Sequence, residues 1–235
     1  MSPEAVVRIF ETFQNACPDP KTELVYHSPF TLLVAVMLSA QSTDKQVNIV
    51  TKPLFALADT PQGLLALGEE RLTSLLKSLN LFRSKARHLL QTCHLLCERH
   101  QGQVPEHREA LEALPGVGRK TANVVLNTAF GHATIAVDTH IFRVCQRTGL
   151  ALGKTPRAVE DILLKVIPEK YQKNAHHWII LHGRYTCKAR NPDCHTCIIR
   201  YDCAFFPKPI PTDTLRGSDA RPPPHRPRCD HFLSK

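Results

Sequence analysis

Apolar residues recur at helical spacing through most of this chain, and this periodicity constrains the fold more than any other feature. Between Pro3 and Asn15, for example, Ile9, Phe10 and Phe13 fall on one helical face. Phe30 to Ala40 is apolar nearly all round, which predicts a central, buried helix. Strand-like alternation of apolar and polar residues is nearly absent. The sequence therefore predicts an all-α fold.

The chain is basic, with a formal net charge of +9 and an isoelectric point near 9.2. Such a charge favours a polyanionic partner, because each Lys or Arg placed on a phosphate releases a condensed counterion. A basic protein without such a partner is the alternative. The basic residues are spread widely, which suits a broad groove, with local density in the C-terminal tail and in two further groups: Arg83, Lys85 and Arg87, and Arg184, Lys188 and Arg190.

The sequence lacks the features of membrane or exported proteins. No apolar run approaches the length of about 18 residues that a membrane helix needs. The first residues, Met1 to Glu4, lack the basic-then-apolar order of a secretory signal. We therefore expect a cytoplasmic protein without a membrane partner.

The composition changes after Cys203. Prolines and arginines become frequent and little apolar material remains, as in the stretch Ala220 to His225. A segment of this kind cannot bury enough apolar surface to fold. The sequence predicts a disordered basic tail over 208–235.

Two glycines separated by one residue stand between two helical patterns, in the stretch Leu114 to Ala122. Glycine permits tight turning and close approach of the backbone, and the start of the following helix presents free N–H groups. This arrangement suits the binding of a DNA phosphate. An ordinary turn between two helices is the alternative interpretation.

An acidic residue, Asp138, follows the apolar run Ile135 to Val137 at the start of the next predicted helix. Capping of that helix is the commonest reason for an aspartate at such a position. A lysine and an aspartate in one cleft can also perform nucleophilic chemistry, in which the lysine attacks after losing its proton. Lys120 is the candidate lysine.

Four of the nine cysteines, Cys187, Cys194, Cys197 and Cys203, form the pattern C-x6-C-x2-C-x5-C. In a chain without an export signal, thiols this close together indicate a metal centre. Zinc sites usually show two close pairs of ligands, and only one is present here. Four thiolates can also hold an iron–sulfur cluster. Both metals remain open on spacing alone.

The glycine stretch Leu114 to Ala122, the Asp138 motif and the cysteine pattern follow one another in this order. In this respect the chain resembles the helix-hairpin-helix superfamily of DNA glycosylases, and within it the endonuclease III family. The similarity spans about residues 1–204. It also includes Met37 to Asp44. The superfamily's adenine-specific branch carries serine where this chain has Lys120, so the resemblance favours oxidised pyrimidines over adenine as the bases removed.

The resemblance implies a role for each motif residue. Lys120 is the nucleophile, Asp138 the catalytic aspartate, and the four cysteines of the C-x6-C-x2-C-x5-C pattern hold a [4Fe–4S] cluster. The residues implied to contact DNA are Gln41, Leu81, Gly116, Val117, Gly118, Arg119 and His140, with Gln41 and Leu81 filling the gap left by an extruded nucleotide. Ser39 and Asp44 are implied to line the substrate pocket.

The resemblance further implies two domains with the catalytic lysine at their mouth, facing Asp138. One is a six-helix bundle over 23–133, and the other is an iron–sulfur cluster domain built from 1–22 and 134–207. The implied partner is duplex DNA that contains a damaged base or an abasic site, bound by a monomer.

One departure and two rival functions stand against this interpretation. Asn80 occupies a position in the Leu81 loop where we expect glycine, although asparagine tolerates positive φ better than most residues. The chain could be a DNA-binding module without catalysis, but the presence of both Lys120 and Asp138 argues against that. It could be a redox protein, but a simple electron carrier does not need so large a helical scaffold.

Overall fold

The computed structural model of the chain describes residues 1–206, and within that range it contains helices and no strand. The all-α prediction is confirmed. The predicted tail, 208–235, lies outside the described residues. The α-helices of the described range are α1 (Pro3–Ala16), α2 (Pro29–Leu38), α3 (Asp44–Leu57), α4 (Pro61–Leu76), α5 (Phe82–His100), α6 (Arg108–Glu112), α7 (Arg119–Phe130), α8 (Thr139–Thr148), α9 (Pro156–Val166) and α10 (Glu169–Tyr185).

The chain forms two compact units. Residues Thr22–Ala136, which include α2 to α7, form the bundle unit. Met1–Lys21 and the described residues from Val137 onward form the second unit, which contains α1, α8, α9, α10 and two short 3-10 helices, Cys194–Thr196 and Arg200–Asp202. None of the helices within residues 1–206 is long and apolar enough to cross a membrane.

Helix α2 is the centre of the bundle unit. All of its residues from Phe30 to Leu38 are buried, and it packs against α3, α5 and α7. Its start is fixed by a capping box, in which Thr31 N donates to Ser28 Oγ at 3.1 Å and Thr31 Oγ1 accepts from Ser28 N at 2.9 Å. Burial of each large apolar side chain of this helix stabilises the fold by about 1.5–3 kcal/mol. The prediction of a central helix is confirmed.

The second unit is held by an aromatic cluster between α1 and α10. Phe10 stacks on Tyr171 with ring centroids 5.8 Å apart, and the Trp178 ring lies 6.2 Å from that of Phe10. The indole N–H of Trp178 donates to the Cys17 carbonyl at 2.7 Å, which satisfies the polar atom of this buried ring. The N-terminal helix is thereby fastened to α10.

Glycine 183 sets the spacing of α8 and α10. A Cβ atom on Gly183 would lie 3.0 Å from Cβ of His140, which is closer than side-chain packing normally allows. Gly183 therefore lets α10 approach the first turn of α8. Asp138 and the cysteine segment flank these two helices in the chain, so their close packing positions both.

Candidate active site and nucleic-acid interface

A tight turn over Leu114–Gly118, here called the hairpin, joins α6 to α7. Gly116 in this turn has φ +78°, a conformation that glycine adopts without the steric cost paid by other residues. A Cβ atom there would also lie 3.1 Å from Cβ of His88 on α5. Both the backbone and the packing therefore require glycine at position 116.

The hairpin is fastened to the bundle unit. Thr92 of α5 donates its hydroxyl to the Pro115 carbonyl at 2.9 Å. Val117 N donates to the Leu114 carbonyl at 3.0 Å, and the Val117 side chain is buried in the core. Any contact of Val117 with DNA would therefore involve its backbone. These two hydrogen bonds and the burial of Val117 hold the turn in its conformation.

The fold does not require glycine at position 118, in contrast to position 116. The φ of Gly118 is −95°, which any residue can adopt, and a Cβ atom there would meet no atom within 4 Å. As the N-cap of α7 it supplies no side-chain hydrogen bond to the first turn. The bare backbone and the positive end of the helix dipole leave room for an anion at this position.

Lys120 is the second residue of α7, and its side chain is exposed. The preceding residue, Arg119, lies with Nη1 4.0 Å from Oε1 of Glu112 on α6. Residues 118–120 thus present the open N-terminus of a helix and an accessible primary amine.

Gln41 and Leu81 lie at two sharp turns of the bundle unit. Both have backbone angles in the left-handed region, φ 55° for Gln41 and φ 57° for Leu81, which is uncommon for residues with a Cβ atom. Both are exposed, and the Leu81 side chain is 57% accessible. The two turns thus present one amide side chain and one apolar side chain to solvent.

An open cavity of about 720 Å³ lies beside these two turns. Its lining carries amide and hydroxyl groups and is formed by Gln41, Ser42, Thr43, Gln46, Ser78 and Asn80. Neither residue that the sequence assigned to a substrate pocket belongs to this lining. Ser39 ends α2 and donates its hydroxyl to the Val36 carbonyl at 2.8 Å, and Asp44 begins α3.

Lys85 lies in the core of the bundle unit and not on its surface. The residue is 7% exposed, and Nζ donates to the Leu38 carbonyl at 2.8 Å and to Ser42 Oγ at 3.0 Å. Burial lowers the pKa of this amine. The sequence counted Lys85 among the basic residues of a DNA groove, and that interpretation is wrong because the charge is directed inward. No local sequence signal distinguishes it from Arg83 and Arg87, which are exposed.

Asp138 is the N-cap of α8. Its Oδ1 atom accepts from the backbone amides of His140 and Ile141, each at 2.8 Å. The capping interpretation of this aspartate is therefore confirmed. Capping does not exclude a further role, because the cap uses Oδ1 and does not use the second carboxylate oxygen.

The imidazole of His140 is oriented by Arg143, one turn further along α8. Nη2 of Arg143 lies 3.1 Å from Nδ1 of His140. A guanidinium can only donate, so Nδ1 accepts and the proton of a neutral imidazole sits on Nε2. Arg143 is held in turn by the carbonyls of Gly183 at 2.7 Å and Cys187 at 3.0 Å. His140 thus presents Nε2 as a hydrogen-bond donor.

The four cysteines of the predicted metal centre follow α10 and are free thiols, each partly buried. Arg147 of α8 fastens the start of this segment, since Nη1 donates to the Lys188 carbonyl at 2.7 Å and Nη2 to the Ala189 carbonyl at 3.0 Å. Nη1 also lies 3.6 Å from Sγ of Cys187. The arginine therefore orders the backbone beside the first thiol and donates toward its sulfur.

The four thiols influence one another. Burial, with smaller contributions from the thiols of Cys203, Cys187 and Cys194, raises the pKa of Cys197 to about 12. Burial raises the pKa of Cys194 as well, with contributions from Cys187 and Cys203. The four sulfurs therefore lie near enough to one another to disfavour several negative charges.

Within residues 1–206, no three His, Cys, Asp or Glu side chains are grouped closely enough to hold one metal ion. A four-iron cluster separates its thiolates more widely than one ion does, so it does not need such a grouping. Four thiolates are also the donor set that [4Fe–4S] clusters use. The residues present fit that group in chemistry and in their placement on one segment.

The sequence matches the HhH-GPD superfamily of base excision DNA repair proteins over residues 34–169. The chain belongs to this superfamily. Its relatives include endonuclease III of Haemophilus influenzae, 58% identical over 202 residues that cover 86% of this chain and 96% of the relative. Endonuclease III of Escherichia coli K12 is 58% identical over 191 residues, covering 81% of this chain and 90% of the relative.

Solved structures agree with these relatives. A trapped endonuclease III–DNA covalent intermediate, an estranged-adenine complex, superposes with a TM-score of 0.82 at 42% identity, covering 87% of this chain and 97% of the other. A thermostable thymine-DNA glycosylase superposes with a TM-score of 0.76 at 21% identity and shows the same fold. The resemblance to endonuclease III predicted from the sequence motifs is confirmed.

Proposed function

We propose that the chain is a bifunctional DNA glycosylase with DNA-(apurinic or apyrimidinic site) lyase activity, which removes oxidised pyrimidines from duplex DNA. The observation that carries the proposal is the exposed amine of Lys120, which lies directly after the glycine hairpin at the start of α7. The family and the relatives act in base excision repair, and one similar structure is a covalent protein–DNA intermediate. A cytoplasmic location, at the nucleoid, goes with this substrate.

DNA binding begins at the hairpin. Gly118 has no side chain, so the backbone at the start of α7 can approach a phosphate oxygen closely. Arg119 adds a positive charge beside it. On the second unit, Nε2 of His140 donates to another phosphate. These contacts set the register of the protein on the duplex without reading base sequence.

The target atom, C1′ of the damaged nucleotide, is hidden in the duplex, so the nucleotide must be extruded. Leu81 enters the stack as an apolar wedge, and Gln41 occupies the vacated space with an amide that can pair with the opposite base. The exposed Leu81 side chain loses its contact with water in this step, which offsets part of the lost stacking.

The chemistry takes place at Lys120. Its unprotonated Nζ attacks C1′, the N-glycosidic bond breaks, and the base leaves with the bonding electron pair and takes up a proton. Opening of the sugar ring gives a Schiff base between Nζ and C1′. Loss of a proton from C2′ then expels the 3′ phosphate by β-elimination, and water releases the lysine.

Asp138 supplies negative charge while positive charge develops on the sugar. The backbone amides of His140 and Ile141 hold the carboxylate in one position, so it does not have to reorganise during the reaction. The second oxygen of the carboxylate is available for this role.

Cys187, Cys194, Cys197 and Cys203 would hold a [4Fe–4S] cluster, which would tie the segment after α10 into one rigid loop. We assign the cluster this structural role and no step of the reaction. Lys188 and Arg190 lie on the same segment, and a rigid loop would present them to phosphates.

The test is borohydride trapping on duplex DNA with an abasic site, which reduces a Schiff base to a stable protein–DNA adduct. Lys120→Ala should lower adduct formation and base release on the order of a thousandfold or more, and undamaged DNA should still bind. Lys165→Ala, which removes an exposed lysine of α9, is the matched control. Adduct formation by Lys120→Ala at the normal rate would show that another amine is the nucleophile.

A further inference from the structure

The turn that carries Gln41 is bonded to the segment that carries Leu81. The Asn80 side chain donates Nδ2 to the Gln41 carbonyl at 2.8 Å, across 39 residues of sequence. Asn80 directly precedes Leu81 in the chain. The residue proposed to fill the vacated space in DNA is thus bonded through its carbonyl to the residue that directly precedes the proposed wedge.

Lys85 joins the same two segments from the opposite side, inside the core. It lies in the first turns of α5, where its backbone amide donates to the Leu81 carbonyl at 3.0 Å. Its ammonium group binds the Leu38 carbonyl, at the end of α2, and Ser42 Oγ, so its two acceptors flank Gln41 in sequence. A further bond, from Gln46 Nε2 to Ser78 Oγ at 2.9 Å, joins α3 to the segment before Asn80.

Both turns are strained, and strain persists only where the surroundings fix it. Gln41 and Leu81 each hold a left-handed backbone conformation that their Cβ atoms disfavour. A buried ammonium group has few places to satisfy its donors, and the carbonyl of Leu38 at a helix C-terminus is a strong acceptor. The bonds of Lys85 and Asn80 therefore select one arrangement of the two turns.

We propose that Asn80 and Lys85 are positioning residues that lock the Gln41 and Leu81 turns together, so that both enter the duplex as one preformed unit. The inference rests on the proposed function, because it needs Gln41 and Leu81 to act on the same base step. Fixing their separation in advance removes the entropy cost of ordering two loops at the moment of extrusion. Asn80 supplies the exposed bond and Lys85 the buried one.

The proposal predicts that loss of a positioning residue slows extrusion of the nucleotide and leaves the chemical step nearly unchanged. Extrusion is followed by stopped-flow fluorescence of 2-aminopurine placed beside a thymine glycol in duplex DNA. Chemistry is followed by borohydride trapping at saturating enzyme on single-stranded DNA with an abasic site, where nothing has to be extruded. Asn80→Ala should slow extrusion about three- to tenfold, the range expected for loss of one hydrogen bond, with the single-strand trapping rate within about twofold of wild type. Asn15→Ala, the same change at an exposed asparagine of α1, should affect neither rate.

Lys85→Met tests the buried bond, and its folding is checked by its melting temperature. In a folded Lys85→Met variant the extrusion rate should also fall, and Asn80→Ala should then have a smaller effect than in wild type because the turns are already uncoupled. Extrusion at the wild-type rate in Asn80→Ala, or an equal fall in extrusion and single-strand trapping, overturns the proposal. Failure of the wild-type protein to trap abasic DNA would instead overturn the proposed function.

Discussion

The backbone amide of His140 donates a 2.8 Å hydrogen bond to Oδ1 of Asp138, so the proposed catalytic carboxylate is also the cap of α8. Ile141 N donates to the same oxygen at 2.8 Å. One side chain therefore serves the stability of a helix and, as we propose, the chemistry at the sugar. The two roles can be separated by substitution, because asparagine caps helices as well as aspartate does but carries no charge.

Asp138→Asn should keep the free energy of unfolding within about 0.5 kcal/mol of wild type and lower the rate of base release by on the order of a hundredfold or more. Asp138→Ala should lose the same activity and, in addition, about 0.5–2 kcal/mol of stability through loss of the cap. Urea denaturation and single-turnover base release measure the two effects. Full activity in Asp138→Asn would mean that this residue is a cap and nothing more.

Substitution of the two hairpin glycines by alanine should affect different properties, namely stability at Gly116 and DNA binding at Gly118. Gly116→Ala places a Cβ at φ +78° and 3.1 Å from His88, so we expect a loss of about 1–3 kcal/mol of stability. Gly118→Ala meets no atom of the protein, so stability should be unchanged while the methyl group obstructs a phosphate. Binding to undamaged duplex, titrated at several salt concentrations, should weaken in Gly118→Ala by a similar factor at each, because a neutral backbone amide releases no counterion. Unchanged DNA binding there would leave the hairpin as an ordinary helix–helix turn.

Purified protein should contain about four irons per chain and absorb broadly in the visible range. Cys197→Ser should lose the colour and most of the iron, because the cluster needs all four thiolates. Cys97→Ser, which changes a partly buried free thiol of α5, is the control and should retain both. Iron analysis and absorption spectra report the result, and an active, colourless protein with stoichiometric zinc would contradict it.

Arg147→Lys should weaken the cysteine segment without removing a thiol. Lysine keeps the charge but cannot reach the Lys188 and Ala189 carbonyls together while donating toward Cys187, since it lacks the planar fork of arginine. We expect faster loss of iron on incubation with a chelator and a lower melting temperature. Arg157→Lys provides the comparison, because that arginine pairs with Asp161 on the exposed side of α9. Equal iron loss in both variants would show that Arg147 does not support the site.

Much of the fold could be predicted from local sequence patterns. Thr43 and Thr155 mark helix starts, and their side chains cap α3 and α9. The break in α4 falls at Gly68, where φ is 75°, a conformation that glycine adopts readily. Helix α5 begins directly after Leu81, whose left-handed cap conformation has no signal in the sequence.

The sequence by itself determined the all-α class, the hairpin glycines, the cysteine spacing and the candidate residues Lys120 and Asp138, because each is encoded over a few neighbouring positions. Only the tertiary structure decided that Lys85 turns inward to the Leu38 carbonyl, that Asn80 binds Gln41, and that Arg147 holds the cysteine segment. The sequence separation is 39 residues for the Asn80–Gln41 bond and 47 for the Lys85–Leu38 bond. It is 41 residues for the bond from Arg147 to the Lys188 carbonyl. Helical periodicity fixes which face of a helix is buried, but packing between distant helices decides which acceptor a long polar side chain reaches, and no local pattern contains that information.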